Sequence, residues 1–481
     1  MPKSCRPSYA IRLLALAGTA MGLAPAALAQ TWTGLSPTTN NWTDATNWTT
    51  LPLNNGTANV IFGGTARLGP FVNASQDVHS VVFNNTAGTF VIGGSSSLTI
   101  RAGGITNQDS QNQTINAPLI VAATQTWSAT NGGLTFNGPS ILLNASLTIN
   151  APIVAVGSLA NISGTGGIIK NGAATLSLGG ANTYSGPTIV NQGLLSAALN
   201  SLSPNSPLNI GAAGSVSFVG ATQTIHSLSG AAGSSLNLGS GTLNINAGTD
   251  TATYPFNGII SGSGSVTKLG AHTQALGGAN TYTGTTTVSA GTLRLDADER
   301  LSNSSILTVS GTGILDLQGF TETVLAVNMT GSDLGTVGSS GTLIANAFNI
   351  ESGGVHARLA GPGGLTKANS ALSAVIFSSG HSYLGSTIVS GGTLSINAAD
   401  ALPDASPVSV RSPGILQFVD FPDTVGSIDG DGTIGILNST LSVGANNAST
   451  TFSGILADLP ASIGHLTKVG TGTLTLAGAN T

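Results

Sequence analysis

The stretch Gly277 to Leu295 reads GGANTYTGTTTVSAGTLRL, and pieces of it return three more times in the same chain. Around Tyr184 the chain reads GGANTYSGPTIVNQGLL, around Tyr383 it reads SSGHSYLGSTIVSGGTLSI, and it ends at Thr481 with LTLAGANT. Each copy follows a lysine, and Lys170, Lys268, Lys367 and Lys468 are spaced 98, 99 and 101 residues apart. The segments between also repeat, since SAALNSLSPNSPLNI, LDADERLSNSSILTV and INAADALPDASPVSV follow the three complete copies. The unit is therefore a whole stretch of about a hundred residues, a long-period array. Within one copy Thr286 and Val288, then Leu293 and Leu295 after a break at Gly291, alternate with Thr292 and Arg294. Such alternation predicts strands with one set of side chains inward, and Leu176 and Leu178 belong to the same set. Short runs at Leu307/Val309 and Leu315/Leu317 are separated by Ser, Asn and Gly clusters that turn the chain. Strand and turn alternating without helical signal predict an all-β parallel β-helix, with four or five coils of roughly 20–25 residues per repeat.

Composition agrees. Charged residues are 6% of the chain and apolar ones 40%, so the outer surface must be Thr, Ser, Asn and Gly. Disorder calls for low hydrophobicity and high net charge, whereas the mean hydropathy is +0.29 and the formal charge −5. A thick globular core calls for large side chains, and 481 residues contain only 13 Phe, 5 Tyr and 4 Trp. A narrow solenoid bore needs small aliphatics alone.

Residues 1–29 are a separate object. Lys3, Arg6 and Arg12 precede an apolar run from Leu13 to Leu23 and an Ala27-Leu28-Ala29 site, the layout of an export signal cleaved after Ala29. The run is too short, and too interrupted by Gly18 and Gly22, for a membrane span. Cleavage removes Cys5, the only cysteine, and leaves a mature chain with no expected transmembrane segment. Residues 30–155 form a first solenoid region whose start holds Trp32, Trp42 and Trp48. Terminal repeats are atypical because they cap open ends, so the tryptophans are expected to cap the first coil; solvent-facing tryptophans stacking on sugar rings are the alternative. Residues 156–481 form the array, and its last copy breaks off at Asn480-Thr481 where the others continue Tyr-x-Gly.

VTKLGAHTQALGGANTYTGTTTVSAGTLRL resembles the autotransporter-associated β-strand repeat, also called the passenger-associated transport repeat. The resemblance covers Ile162 to Ser196, Ser265 to Leu295, Gly364 to Ile396 and His465 to Thr481. It marks Lys170, Tyr184 and Gly186, then Lys268, Asn280, Tyr282 and Gly284, then Lys367, Tyr383 and Gly385, and finally Lys468 and Asn480 as signature positions. It departs at Gln274, where the last copy has Leu474, and before Tyr383, where two extra residues and Ser-Gly-His-Ser replace Gly-Ala-Asn-Thr. The resemblance implies a right-handed β-helical passenger on the cell surface, at the outer membrane or secreted. Its partners would be the outer-membrane translocation machinery and an unidentified host or matrix ligand. It also implies a continuation past Thr481 into a C-terminal β-barrel.

Chemistry is sparse. From Asn116 to Thr249 the only charged residue is Lys170, too little for paired carboxylates on a glycosidic bond. Asp296, Asp298, Glu299 and Arg300 with Asp316 could seat calcium or a catalytic pair, but the equivalent turns AALNSL and NAADAL need no charge. Asp429-Gly430-Asp431-Gly432 lacks the third ligand and closing glutamate of a calcium loop. The six histidines never pair at metal spacing, and Asn280, Gly472 and Ser265 stand where His381, His272 and His465 do, which predicts ordinary exposed positions. An acidic chain without a basic stripe repels phosphate, so no nucleic acid is expected. No cofactor is implied. A structural and adhesive passenger is the favoured function; a polysaccharide-acting lyase or hydrolase on a β-helix is the alternative, discriminated by a groove of stacked carboxylates with aromatic walls.

Overall fold

The structure is a computed structural model that describes residues 29–481 except 151–152, 157–160, 221, 335–340, 369–372, 377, 379 and 459–461. Among the described residues strands stack in parallel into an all-β solenoid of about 19 turns, with essentially no helix. At about 4.8 Å per turn the rod is on the order of 90 Å long.

One inward position can be followed from coil to coil. Val266, Thr286, Leu307, Val327, Phe348, Leu365, Thr387, Val408 and Ile428 are successive register partners, and every one is buried. Five steps lead from Val266 to Leu365, one full repeat, with coils of 17 to 22 residues along this column. These coils lie at the short end of the expected roughly 20–25 residues, and their corners use residues with positive φ. Asn200, Glu299 and Asp400 take φ of 52°, 56° and 47° at one such corner, two residues before Leu202, Leu301 and Leu402. The neighbouring outward column is an uncharged ladder of Thr267, Thr287, Thr308, Asn328, Asn349 and Thr366. The predicted inward set is buried, with Leu176, Leu178, Leu293 and Leu295 at 0%, 2%, 1% and 0% exposure. Thr292 and Arg294 between them lie half-buried on the outside.

At the first coils Trp32, Trp42 and Trp48 converge on Phe62, with ring centroids 6.1, 5.7 and 5.8 Å from it. All three are buried, which overturns the alternative of tryptophans facing solvent. Trp48 Nε1 donates to the Trp42 carbonyl at 2.8 Å. Asp44 accepts from the hydroxyls of Thr46, Ser36 and Thr39 and is held well below the usual carboxylate range by them. The expected export signal lies outside the described residues except Ala29, an exposed residue opening the strand Ala29–Trp32. Near residue 155 the strand Ile153–Val156 pairs with Leu134–Phe136 on one side and Thr175–Leu178 on the other, so the ladder runs on through the expected regional boundary. Among the described residues no helix is long and apolar enough to cross a membrane.

Candidate functional site

The signature residues form a recurrent set of buried polar closures. Lys170, Lys268 and Lys367 share the parity of inward Ile168, Val266 and Leu365, so each lysine enters the bore, and each is at most 1% exposed. The stem fills apolar space while the ammonium reaches carbonyls at a corner. Lys268 Nζ donates to Leu269 and Gly270 at 2.9 Å and to Ala290, one coil later, at 3.0 Å. Lys170 makes the same three bonds, to Asn171, Gly172 and Gln192. Lys367 donates to Gly391 at 3.0 Å and lies 3.7 Å from Glu351. Burial pushes Lys268 down to about 8 and lowers Lys170 and Lys367 as well. Lys468, exposed in the last described coil, keeps the two local carbonyls of Val469 and Gly470.

Asparagine ties three coils together. Asn280 accepts from Ile260 N–H at 2.8 Å in the coil before and donates to Arg300 carbonyl at 2.7 Å in the coil after. Asn182 does likewise with Ile162 and Ser201, and Asn480 accepts from Leu456. In the third copy His381 Nδ1 accepts from Leu359 N–H at 2.8 Å. His381 thus performs the asparagine's task, and its expected exposure is overturned: it is 5% exposed, and His272 is 0% exposed. A corner side chain of the right reach can accept an N–H whether it is amide or imidazole. Burial pushes both imidazoles down to about 4. His465 is exposed, as expected.

The tyrosines start a chain of hydroxyls. Tyr282 OH meets Thr286 Oγ1 at 2.5 Å, Thr286 meets Ser305 Oγ at 3.0 Å, and Ser305 donates to the Gly284 carbonyl at 2.8 Å. Tyr184, Thr188, Ser206 and Gly186 repeat it, as do Tyr383, Thr387, Ser406 and Gly385. The signature glycines admit no side chain: a Cβ on Gly284 would lie 2.2 Å from Gly264 carbonyl oxygen, and Gly186 and Gly385 are as crowded by backbone. Sequence reasoning missed the threonines, the serines and a further acceptor, Gln223, Glu322 or Asp423, although all recur at the same hundred-residue interval.

The carboxylates named as a candidate cation or catalytic site are engaged in local bonds. Asp296 pairs with Arg294 at 2.7 Å, Asp298 accepts from Thr321 N–H, Glu299 accepts from the Thr323 hydroxyl, and Asp316 accepts from Gln318. Asp431 accepts from Ser412 N–H. Among the described residues no group of three His, Cys, Asp or Glu side chains could hold a metal ion. A surface cavity of about 490 Å³ lies beside the third-copy corner, lined by Arg358, His381, Leu384, Asp400 and Asp404 among others.

This set of closures coincides with a known pattern. The family description of the passenger-associated transport repeat matches residues 168–197, 266–295, 374–396 and 466–481. The chain thus carries the passenger-associated transport repeat and, over part of its length, is similar to an autotransporter. It is 33% identical over 174 residues to the adhesin BmaC autotransporter of Brucella suis biovar 1 (strain 1330), covering 32% of this chain and 5% of that protein. It is 31% identical over 166 residues to the uncharacterized lipoprotein YdeK of Escherichia coli (strain K12), covering 34% of this chain and 10% of that one. The chain therefore spans a small part of the curated relatives it matches. No solved structure matches. The third repeat match begins at 374, downstream of Lys367 and the segment that follows it.

Proposed function

We propose that this passenger-type chain is exported, cleaved after Ala29, and displayed or released at the cell surface as a structural and adhesive rod. In this reading residues 30–155 start the solenoid and residues 156–481 extend it, with repeats that assist outer-membrane secretion and folding. The observation that carries it is the coincidence of the family match with side chains whose hydrogen bonds are completed by the next coil. Stacking a coil gains several kcal/mol gross at about 25 cal/mol/Å² against an ordering entropy of similar size. Closures such as Lys268 to Ala290 add a gain that appears only when the following coil arrives, which biases a threading chain outward. The partners are the outer-membrane translocation machinery and a host or matrix surface, and no enzymatic step is assigned.

Protease shaving of intact cells carrying the native gene, followed by mass spectrometry of the released N-terminus, tests the export reading. The expected product begins at Gln30 and is accessible from outside. Protein retained in the cytoplasm with residues 1–29 attached refutes it.

A further inference from the structure

Each complete repeat closes the same corner with a buried acceptor from the following coil. Gln223 Oε1 accepts from Leu202 N–H at 3.1 Å. Glu322 accepts from Arg300 and Leu301 N–H at 2.6 and 3.0 Å, one on each oxygen. Asp423 Oδ2 accepts from Ala401 and Leu402 N–H, both at 3.1 Å. The three side chains are 0%, 0% and 1% exposed. The corner residue that takes positive φ changes with them: Asn200 accompanies Gln223, Glu299 accompanies Glu322, and Asp400 accompanies Asp423. An amide pair in the first repeat is thus matched by a pair of glutamates in the second and a pair of aspartates in the third.

A carboxamide and a neutral carboxylic acid have nearly the same shape, and both accept N–H bonds. A carboxylate accepts them too, but here it would be buried beside a second acid. The charged and titratable groups felt at Glu322 are Glu299, Arg300 and Tyr282, and those at Asp423 are Asp400 and Tyr383. Glu299 Oε2 and Asp423 Oδ1 are buried without a hydrogen-bond partner. We propose that Glu322 and Asp423 hold their corners as neutral carboxylic acids in place of the first repeat's amide, so that the second and third repeats carry a proton-dependent clasp and the first does not.

Burial is the main cause that pushes Glu322 up to about 8 and Asp423 up to about 7, with the neighbouring acid adding to it and the backbone N–H bonds opposing it. A carboxyl whose folded value is raised gives stability that is complete below its unfolded value and is lost as pH rises through the folded one. The clasp is therefore closed in acid and weakens between about pH 4.5 and 8 at Glu322, with a similar window ending near 7 at Asp423.

Hydrogen exchange of the whole chain, measured by mass spectrometry from pH 5 to 9 and corrected for intrinsic rates, tests the proposal. Protection of the amides at 300–301 and 401–402 is expected to fall with pH by up to roughly tenfold per unit inside these windows. Protection at Leu202 is expected to stay level. Glu322→Gln and Asp423→Asn should each flatten the slope at their own corner alone, and should raise protection above pH 8. Level protection at all three corners in the wild type overturns the proposal. So does a slope that survives both substitutions, or one removed by added calcium, which would make the acid pair a cation site. If Glu322→Gln unfolds the corner, an unchanged wild-type slope at 401–402 together with a flat Asp423→Asn still decides.

Discussion

Thr286 occupies the middle of a chain of three buried hydroxyls, and the structure ranks what its removal should cost. The Gly284 carbonyl can only accept, so Ser305 donates to it; Ser305 then accepts from Thr286, and Thr286 accepts from Tyr282. Tyr282→Phe removes the first donor and leaves Thr286 still donating, which costs about 1 kcal/mol, the net value of one hydrogen bond. Thr286→Val keeps the shape but leaves the Tyr282 hydroxyl without an acceptor and Ser305 without a donor. Two buried orphans at about 1–2 kcal/mol each give about 2–4 kcal/mol. In the double variant the orphaned phenol is gone, so it should cost no more than Thr286→Val alone, a coupling of about 1–2 kcal/mol. Native-state hydrogen exchange of the strand Thr286–Leu295 reads this locally, which suits a solenoid that does not unfold as one unit. Thr286→Val should speed exchange roughly 30- to 1,000-fold, while the equivalent strand Thr188–Ala197 stays unchanged. Strictly additive effects, or Tyr282→Phe costing as much as Thr286→Val, would refute the directed chain of hydroxyls.

Leu293→Asp buries an unpaired charge in the bore and should cost several kcal/mol locally, whereas Thr292→Asp on the outside should be nearly silent; equal urea sensitivity of the two variants would reject the register. Lys268→Met leaves the carbonyls of Leu269, Gly270 and Ala290 without their shared donor and should cost about 1–3 kcal/mol. Lys468→Met, at an exposed position, should change stability by less than about 0.5 kcal/mol, and exchange at the two corners compares them directly.

The architecture was legible because a solenoid writes its period into the chain. Alternation placed Leu293 and Leu295 inward and Thr292 outward, and the lysine spacing gave the repeat. The same parity already places Lys268 inward, two residues after Val266, but a lysine prior of exposure outweighs parity when a residue is read alone. Only the fold reveals that three carbonyls wait at the corner. The histidines failed for a related reason. Equivalence with Asn280 gives His381 the exposure usual for an asparagine, but that asparagine is itself buried and bridges two coils. Equivalence between repeats transmits environment, so a wrong environment for one member is carried to all. The Gln223, Glu322 and Asp423 set was hidden by chemistry instead: an amide and two acids do not look alike until each is seen accepting from the same corner.

These buried polar groups answer a problem that the bore creates. Leu, Val and Ile alternate in every coil, so a strand displaced by one coil, about 20 residues, would still present an apolar face to its neighbours. Hydrophobic burial alone therefore discriminates weakly among such stackings. A displaced Lys268 would bring its ammonium into the bore without the Ala290 carbonyl, and a displaced Thr286 would bring a hydroxyl without Ser305 as acceptor. Each such orphan costs about 1–3 kcal/mol, and more for the charge. Because the lysine, the asparagine and the threonine bond across from one coil of five to the next, a slip of one coil incurs all these losses at once. The arrangement makes the hundred-residue repeat, and not the single coil, the shortest displacement at which the closures are restored. That is the physical reason a solenoid with coils of about 20 residues keeps a sequence period five times as long.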